Sequence, residues 1–76
     1  MSSEHIKTRR KIKSLEKIEL ANILDRLMLT ENEAKMMRMY YIERKDFNTI
    51  ADTLGYSEIG IIKMHSRIVK MMNRML

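Results

Sequence analysis

Residues 47–68, FNTIADTLGYSEIGIIKMHSRI, decide the fold, because their apolar spacing describes two helices joined by a tight turn. Ile50 and Leu54 lie one helical turn apart, and Ile61 and Met64 repeat this apolar spacing after the turn. Gly55, between the two helices, supplies the backbone freedom for a left-handed residue. The stretch therefore predicts two short helices whose apolar sides face each other.

The residues around the turn complete the pattern. Ser57 can cap the second helix through its hydroxyl, and Ala51 is small where the two helices would cross. This is the spacing of a helix-turn-helix unit, whose second helix normally enters the major groove of DNA. The sequence predicts such a unit over residues 46–74, with its recognition helix starting at residue 58.

The rest of the chain predicts two more helices, which makes a small all-α, four-helix domain over residues 1–76. The first helix is expected from about residue 6 to 28 and the second from a Thr30/Glu33 capping box to about Ile42. The third helix, 47–54, follows a cap at Asp46, and the fourth is expected over 58–76. The apolar stripe of the first helix comprises Leu20, Ile23, Leu24 and Leu27, extended weakly by Ile12 and Leu15, and the core side of the fourth comprises Ile61, Met64, Ile68, Met71 or Met72, and Met75.

Composition limits the classes of protein to consider. The 76 residues include no cysteine and no proline, which favours helices and excludes disulfides and thiolate metal sites. No apolar run reaches the length of about 20 residues that a membrane span needs, and the N-terminus lacks the apolar segment of a signal peptide. The lack of cysteine fits a reducing cytoplasm, where we expect this protein to be, and residues 1–10 are expected to form a basic and flexible segment.

The positive charge is concentrated at the two ends of the chain. The net charge is +5, with six Lys/Arg against three Asp/Glu in residues 1–20 and four against one in residues 58–76. Residues 21–57 are nearly balanced, at five against six. Such a distribution suits a phosphate backbone, although a solvated basic surface without a partner has the same charge pattern.

The side of the fourth helix opposite its core side is the candidate DNA-binding surface. Glu58 is also favourable simply as an acid in the first turn of a helix, and Ile59 suits either a thymine methyl group or a protein interface. His65 has no second histidine at metal-binding spacing, so a packing or surface role is expected. The expected base contacts are Ser57, Glu58, Ile59, Ile62, Lys63 and Ser66, and the expected DNA-backbone contacts are Lys45, Asn48, Thr49, Arg67, Lys70 and Arg74.

The stretch 29–72 carries Leu29-Thr30-Glu31, Met39-Tyr40-Tyr41, Ile50-Ala51, Leu54-Gly55 and Ser57. With these elements it resembles region 4 of the bacterial sigma-70 family, and more closely the small phage ArpU-like transcription regulators. The similarity to the ArpU-like proteins lies in the run RMYYIE at 38–43 and the turn LGYSE at 54–58. The resemblance implies a four-helix fold and a role in transcription control in the cytoplasm of a bacterial or phage-infected host cell. The chain departs from sigma factors in two ways: it has no upstream region able to melt a promoter, and its recognition helix carries Ile59, Gly60 and Ile62 where polar residues are common.

These observations together predict a sequence-specific, DNA-binding transcription regulator, encoded by a phage or mobile element. Double-stranded DNA is the expected partner, with RNA polymerase, a sigma factor or a second copy bound through the first helix as further partners. The alternatives are a sigma-like protein that binds polymerase or another regulator instead of DNA, and the DNA-recognition part of a phage packaging protein. No cofactor and no metal are expected. No glycine-rich phosphate loop or nucleophile pair is present, so no enzymatic activity is expected.

Overall fold

The computed structural model describes the backbone of residues 3–75 and the side chains of residues 6–75. It confirms an all-α architecture, since this part of the chain forms helices and no strands. It contains five helices rather than the four expected. They are Ser3–Ser14 (α1), Lys17–Arg26 (α2), Glu31–Tyr41 (α3), Phe47–Leu54 (α4) and Glu58–Asn73 (α5).

The prediction of one continuous helix from residue 6 to 28 is wrong, because the chain turns at Leu15 and Glu16. The Ser14 hydroxyl donates to the carbonyl of Lys11 (2.7 Å), which satisfies an acceptor at the end of α1. Glu16 is extended, and its backbone N–H donates to the Glu19 carboxylate (3.2 Å) at the start of α2. These local hydrogen bonds end one helix and begin the next, as side chain-to-backbone bonds commonly do at helix termini.

The ends of the described chain differ from expectation as well. α5 stops at Asn73, and Met75, expected in the core, is exposed. The last turn is closed by the N–H of Met75, which donates to the carbonyl of Met72 (2.9 Å). At the other end, α1 begins at Ser3 rather than at about residue 6, and Thr8 is buried. Residues 1, 2 and 76, which the expected flexible segment and the expected fourth helix included, lie outside the described residues.

The apolar core lies between α3, α4 and α5, with one buried apolar side chain from α1 and two from α2. The fully buried methionines of α3 explain why that helix is apolar on more than one side: it packs against α4 and α5 simultaneously. No helix within residues 3–75 has the length and apolar character needed to cross a bilayer. The buried apolar residues are Ile12, Leu20, Leu24, Met36, Met37, Met39, Ile50, Ala51, Ile61, Ile68, Val69 and Met72.

The corner between α4 and α5 has the geometry that the sequence predicts. Gly55 adopts a left-handed conformation (φ 77°), and the N–H of Tyr56 donates to the carbonyl of Ala51 (2.9 Å). The Ser57 hydroxyl accepts the N–H of Gly60 (3.0 Å) and caps α5. α4 and α5 therefore meet at a defined corner, and the exposed residues of their first turns are Asn48, Thr49, Glu58 and Ile59.

We expect Gly55→Ala to lower the free energy of unfolding by about 1 kcal/mol, because a β-carbon is unfavourable in the left-handed region. No atom lies within 4 Å of the position of the added methyl group, so the cost is conformational rather than steric. Gly55→Asn is the control and should cost less, since asparagine tolerates this region. Urea denaturation followed by circular dichroism measures both; equal losses in the two variants would contradict this explanation.

Candidate nucleic-acid interface

α5 has one buried side and one open side, and the open side is the candidate interface. Ile61, His65 and Ile68 lie on the buried side. Ile59 is 65% exposed and Ile62 is 43% exposed, so two large apolar side chains one helical turn apart lie at the surface of this helix. The residues expected to contact DNA lie on or beside the open side of α5: Ile59, Ile62, Lys63, Lys70 and Arg74 are exposed, and Ser66 is partly buried.

The first two residues expected to read bases already make contacts within the protein. The Ser57 hydroxyl accepts the backbone N–H that caps α5. The Glu58 carboxylate accepts a hydrogen bond from the Asn48 side-chain amide (3.2 Å), which joins the first turn of α5 to the first turn of α4. Two of the expected polar contacts are therefore engaged, and the remaining side chains at this end of the open side are two isoleucines and Lys63.

The N-terminus of α4 is less available to a phosphate than the sequence suggests. The Asp46 carboxylate accepts the N–H of Thr49 (2.8 Å), and this hydrogen bond holds the pKa of Asp46 below its ordinary value. A negative charge therefore already occupies the end of the helix that would attract an anion. Lys45, expected to assist there, forms an ion pair with Glu43 (3.1 Å).

Arg67 lies at the edge of the open side that is nearest α3. Its guanidinium forms a hydrogen-bonded ion pair with the Glu33 carboxylate, which also accepts the backbone N–H of Thr30 (2.9 Å). These contacts lower the pKa of Glu33, the backbone hydrogen bond from Thr30 most of all, against a smaller opposing effect of burial. Arg67 thus links α5 to α3 through this ion pair. The ion pairs between described residues include neither Lys70 nor Arg74.

His65 has a packing role, in keeping with its lack of a second histidine at metal spacing. Its Nε2 lies 2.6 Å from the Tyr41 hydroxyl, and its ring packs near those of Tyr40 and Phe47. Burial raises the pKa of Tyr41, so the hydroxyl stays protonated and able to donate. Among the described residues, no group of three or more His, Asp or Glu side chains is placed to hold a metal ion.

The sequence does not place α1 beside this interface, although the structure does. The Thr8 hydroxyl donates to the Asn73 side-chain oxygen (2.5 Å), which holds α1 against the C-terminal end of α5. A spacing of 65 residues gives no local signal for this contact. The only available clue is Thr8 and Ile12, one helical turn apart in a segment that is otherwise strongly basic.

No family model, curated protein or solved structure matches this chain.

The apolar stripe of the predicted first helix, through which a second copy was expected to bind, packs largely within the monomer. Leu20 and Leu24 are buried, and Ile23 and Leu27 are partly buried against the core. Little of this stripe is left for a partner, so the surfaces that remain for binding are those of α5, α4 and α1.

Proposed function

We propose that the protein is a sequence-specific DNA-binding transcription regulator that inserts α5 into the major groove. The observation that carries this proposal is the open side of α5: a helix held by its other side against α4, with Lys63, Lys70 and Arg74 along its exposed length. The α4–α5 pair, with its left-handed Gly55 corner, has the spacing of a helix-turn-helix unit. The similarity of residues 29–72 to sigma-70 region 4 and to the ArpU-like regulators supports a role in transcription, of phage or mobile-element origin.

The contacts within the protein narrow the set of base-reading residues. Ser57 and Glu58 begin α5 and hold it, so we assign the reading of bases mainly to Ile59, Ile62 and Lys63, with Ser66 one turn further. Lysine can donate to the acceptors of guanine, and an exposed isoleucine can contact a thymine methyl group. Lys70 and Arg74 follow along the same helix and are assigned to the phosphate backbone.

A single module of this size is expected to bind one half-site weakly, so a second contact is needed for tight binding. A second copy of the chain, RNA polymerase or a sigma factor would supply it. Among the described residues, the most exposed large apolar side chains are Ile18, in the first turn of α2, and Met28, two residues after its end.

The test is selection of bound duplexes from a randomised pool, followed by affinity measurements on the selected duplex. We expect Lys63→Ala combined with Ser66→Ala to weaken binding to that duplex at least about tenfold, since each good base contact contributes roughly 1–3 kcal/mol of discrimination. Lys17→Ala, an exposed lysine on α2, is the control and should change affinity little. Failure of the wild-type protein to enrich any duplex, at low salt included, would contradict the proposal.

The exposed isoleucines also favour a second candidate, a sigma-like protein that docks on polymerase, a sigma factor or another regulator. Ile59 and Ile62 are one helical turn apart and would form an apolar anchor at the N-terminal end of α5. Capture of such a partner from host lysate, resistant to nuclease and abolished by Ile59→Asp, would favour this function. Capture that nuclease abolishes would favour DNA.

A further inference from the structure

α1 packs against α5, and its hydrogen bonds to α5 and α3 fix its rotation. Thr8 and Ile12 are buried, and Thr8 bonds to Asn73 at the last turn of α5. Arg9 reaches the other way, where its guanidinium donates to the Tyr40 hydroxyl of α3 (2.8 Å). The α1 helix therefore bridges α3 and the C-terminal end of α5.

This rotation places two lysines on the side of α1 that points away from α3. Successive residues of an α-helix are about 100° apart, so the residue before Thr8 points away from the residue after it. Because Arg9 points to α3, Lys7 points to the opposite flank, and Lys11 lies one turn further along the same flank. Both lysines are exposed.

The Thr8–Asn73 contact places α1 at one edge of the open side of α5. Asn73 follows Ser66 by seven residues, or two helical turns, so both lie along one edge of the open side. Arg67 lies along the opposite edge, where Glu33 of α3 holds it. α1 therefore joins the interface at the Ser66 edge, beside the last turns of α5, which carry Lys70 and are followed directly by Arg74.

We propose that Lys7 and Lys11 of α1 form a second contact with the DNA backbone, beyond the groove that α5 enters. This inference rests on the proposed function. With Lys70 and Arg74 they extend the positive surface from one helix to two, and the ion pairs between described residues involve other cations. Together these four cations would hold phosphates beside the groove that contains α5, fixing its register while Lys63 and the isoleucines read bases.

The chemistry of α1 favours duplex DNA over an anionic membrane surface. A helix that lies in a membrane interface needs an apolar side free to insert. In α1 the apolar Ile12 is buried in the core, and Ile6 is the one exposed large apolar side chain among its described residues. α1 therefore presents positively charged side chains and no continuous apolar side, which suits binding to a phosphate backbone.

The test is the salt dependence of binding to the duplex selected by the wild-type protein. Each phosphate contact contributes about 0.9 to the slope of log affinity against log salt concentration. We expect Lys7→Gln combined with Lys11→Gln to reduce that slope by about 2 and to weaken binding on the order of tenfold at about 0.1 M salt. Because both side chains are exposed, circular dichroism should show an unchanged fold.

Lys13→Gln combined with Lys17→Gln is the matched control, with the same change in net charge. Lys13 and Lys17 line a groove with Tyr41 and Arg44, on the α3 side of α1. This control should leave the slope nearly unchanged. An equal reduction in both double variants would mean that only net charge matters and would overturn the inference, as would a wild-type slope in the Lys7/Lys11 variant.

The outcomes separate this inference from the function on which it rests. A Lys7/Lys11 variant that binds the selected duplex as the wild type does, while Lys63→Ala with Ser66→Ala weakens binding, would overturn the α1 contact and leave the proposed function standing. Absence of DNA binding by the wild type would remove both. Loss of binding to phosphatidylserine vesicles in the Lys7/Lys11 variant, with DNA binding unchanged, would assign the flank to a membrane and also overturn the inference.

Discussion

Replacing Ile68 with alanine is expected to lower the free energy of unfolding by about 2–5 kcal/mol, the usual cost of truncating a large buried aliphatic side chain. Ile68 is fully buried in α5, within the core that α3, α4 and α5 share. The loss combines the transfer free energy of the deleted carbons with the cavity that they leave. A domain of this size has only about 4–11 kcal/mol of stability in total, at 0.05–0.15 kcal/mol per residue.

Two controls separate packing from helix propensity. Ile68→Val keeps most of the volume and should cost roughly 0.5–1.5 kcal/mol. Ile59→Ala makes the same chemical change on the same helix, but at an exposed side chain, and should alter stability by less than about 0.5 kcal/mol. Urea denaturation of all three variants measures the differences. Equal losses for Ile68→Ala and Ile59→Ala would mean that α5 does not have the buried and open sides described above.

The sequence predicts the parts of the fold whose determinants are local. Thr30, Asp46 and Ser57 each accept the backbone N–H three residues later, and each begins a helix where the sequence expects one. Gly55 is left-handed as predicted. These features depend on atoms within one helical turn, so residue type and spacing suffice to infer them.

The parts that the sequence misses depend on contacts between distant segments. The apolar stripe runs on through Leu15, and periodicity alone cannot distinguish one long helix from two helices at an angle. The angle lets α1 place Thr8 against Asn73 while α2 places its own leucines in the core. The Glu16/Glu19 pair was a usable local signal for the second helix start, since an acid three residues after a capping position is typical of such starts.

The candidate interface likewise has features that the sequence predicts and features that it misses. The side of α5 that is exposed follows from helical periodicity, and the exposure of Ile59, Ile62 and Lys63 agrees with it. The engagement of Glu58 by Asn48 and of Arg67 by Glu33 does not follow from periodicity, because each pair spans two helices. The number of expected contact residues that are free for a partner therefore depends on tertiary contacts between helices.

Glu33 connects the start of α3 to α5, and its removal is expected to have the second large effect on stability. One carboxylate oxygen accepts the N–H of Thr30 (2.9 Å), and the other binds the Arg67 guanidinium. The Glu33 side chain is only 10% exposed. We expect Glu33→Ala to cost about 1–3 kcal/mol at neutral pH, the range for hydrogen bonds to a charged group together with loss of part of a helix cap.

Glu31→Ala is the matched control, because it removes an acid from the same first turn of α3. Its side chain is 81% exposed, and among the described residues it forms an ion pair only with Lys35, four residues later on the same helix (3.3 Å). Such a pair contributes about 0.2–0.5 kcal/mol, so the control should cost much less than Glu33→Ala. Comparable losses in thermal or urea denaturation would show that the charge near the helix start matters, and not the link to α5.

The pH dependence gives an independent test of the same link. Since the fold lowers the pKa of Glu33 below its ordinary value of 4.5, the unfolded chain binds a proton there more readily than the folded protein does. The stabilisation by this charge is therefore complete above the unfolded pKa and is lost as pH falls through the folded pKa. The difference in stability between the wild type and Glu33→Gln, which removes the charge but keeps an acceptor for Thr30, should be largest near neutral pH. It should shrink steadily below pH 4.5, and a difference that stays constant into acid would show that Glu33 acts by shape and not by charge.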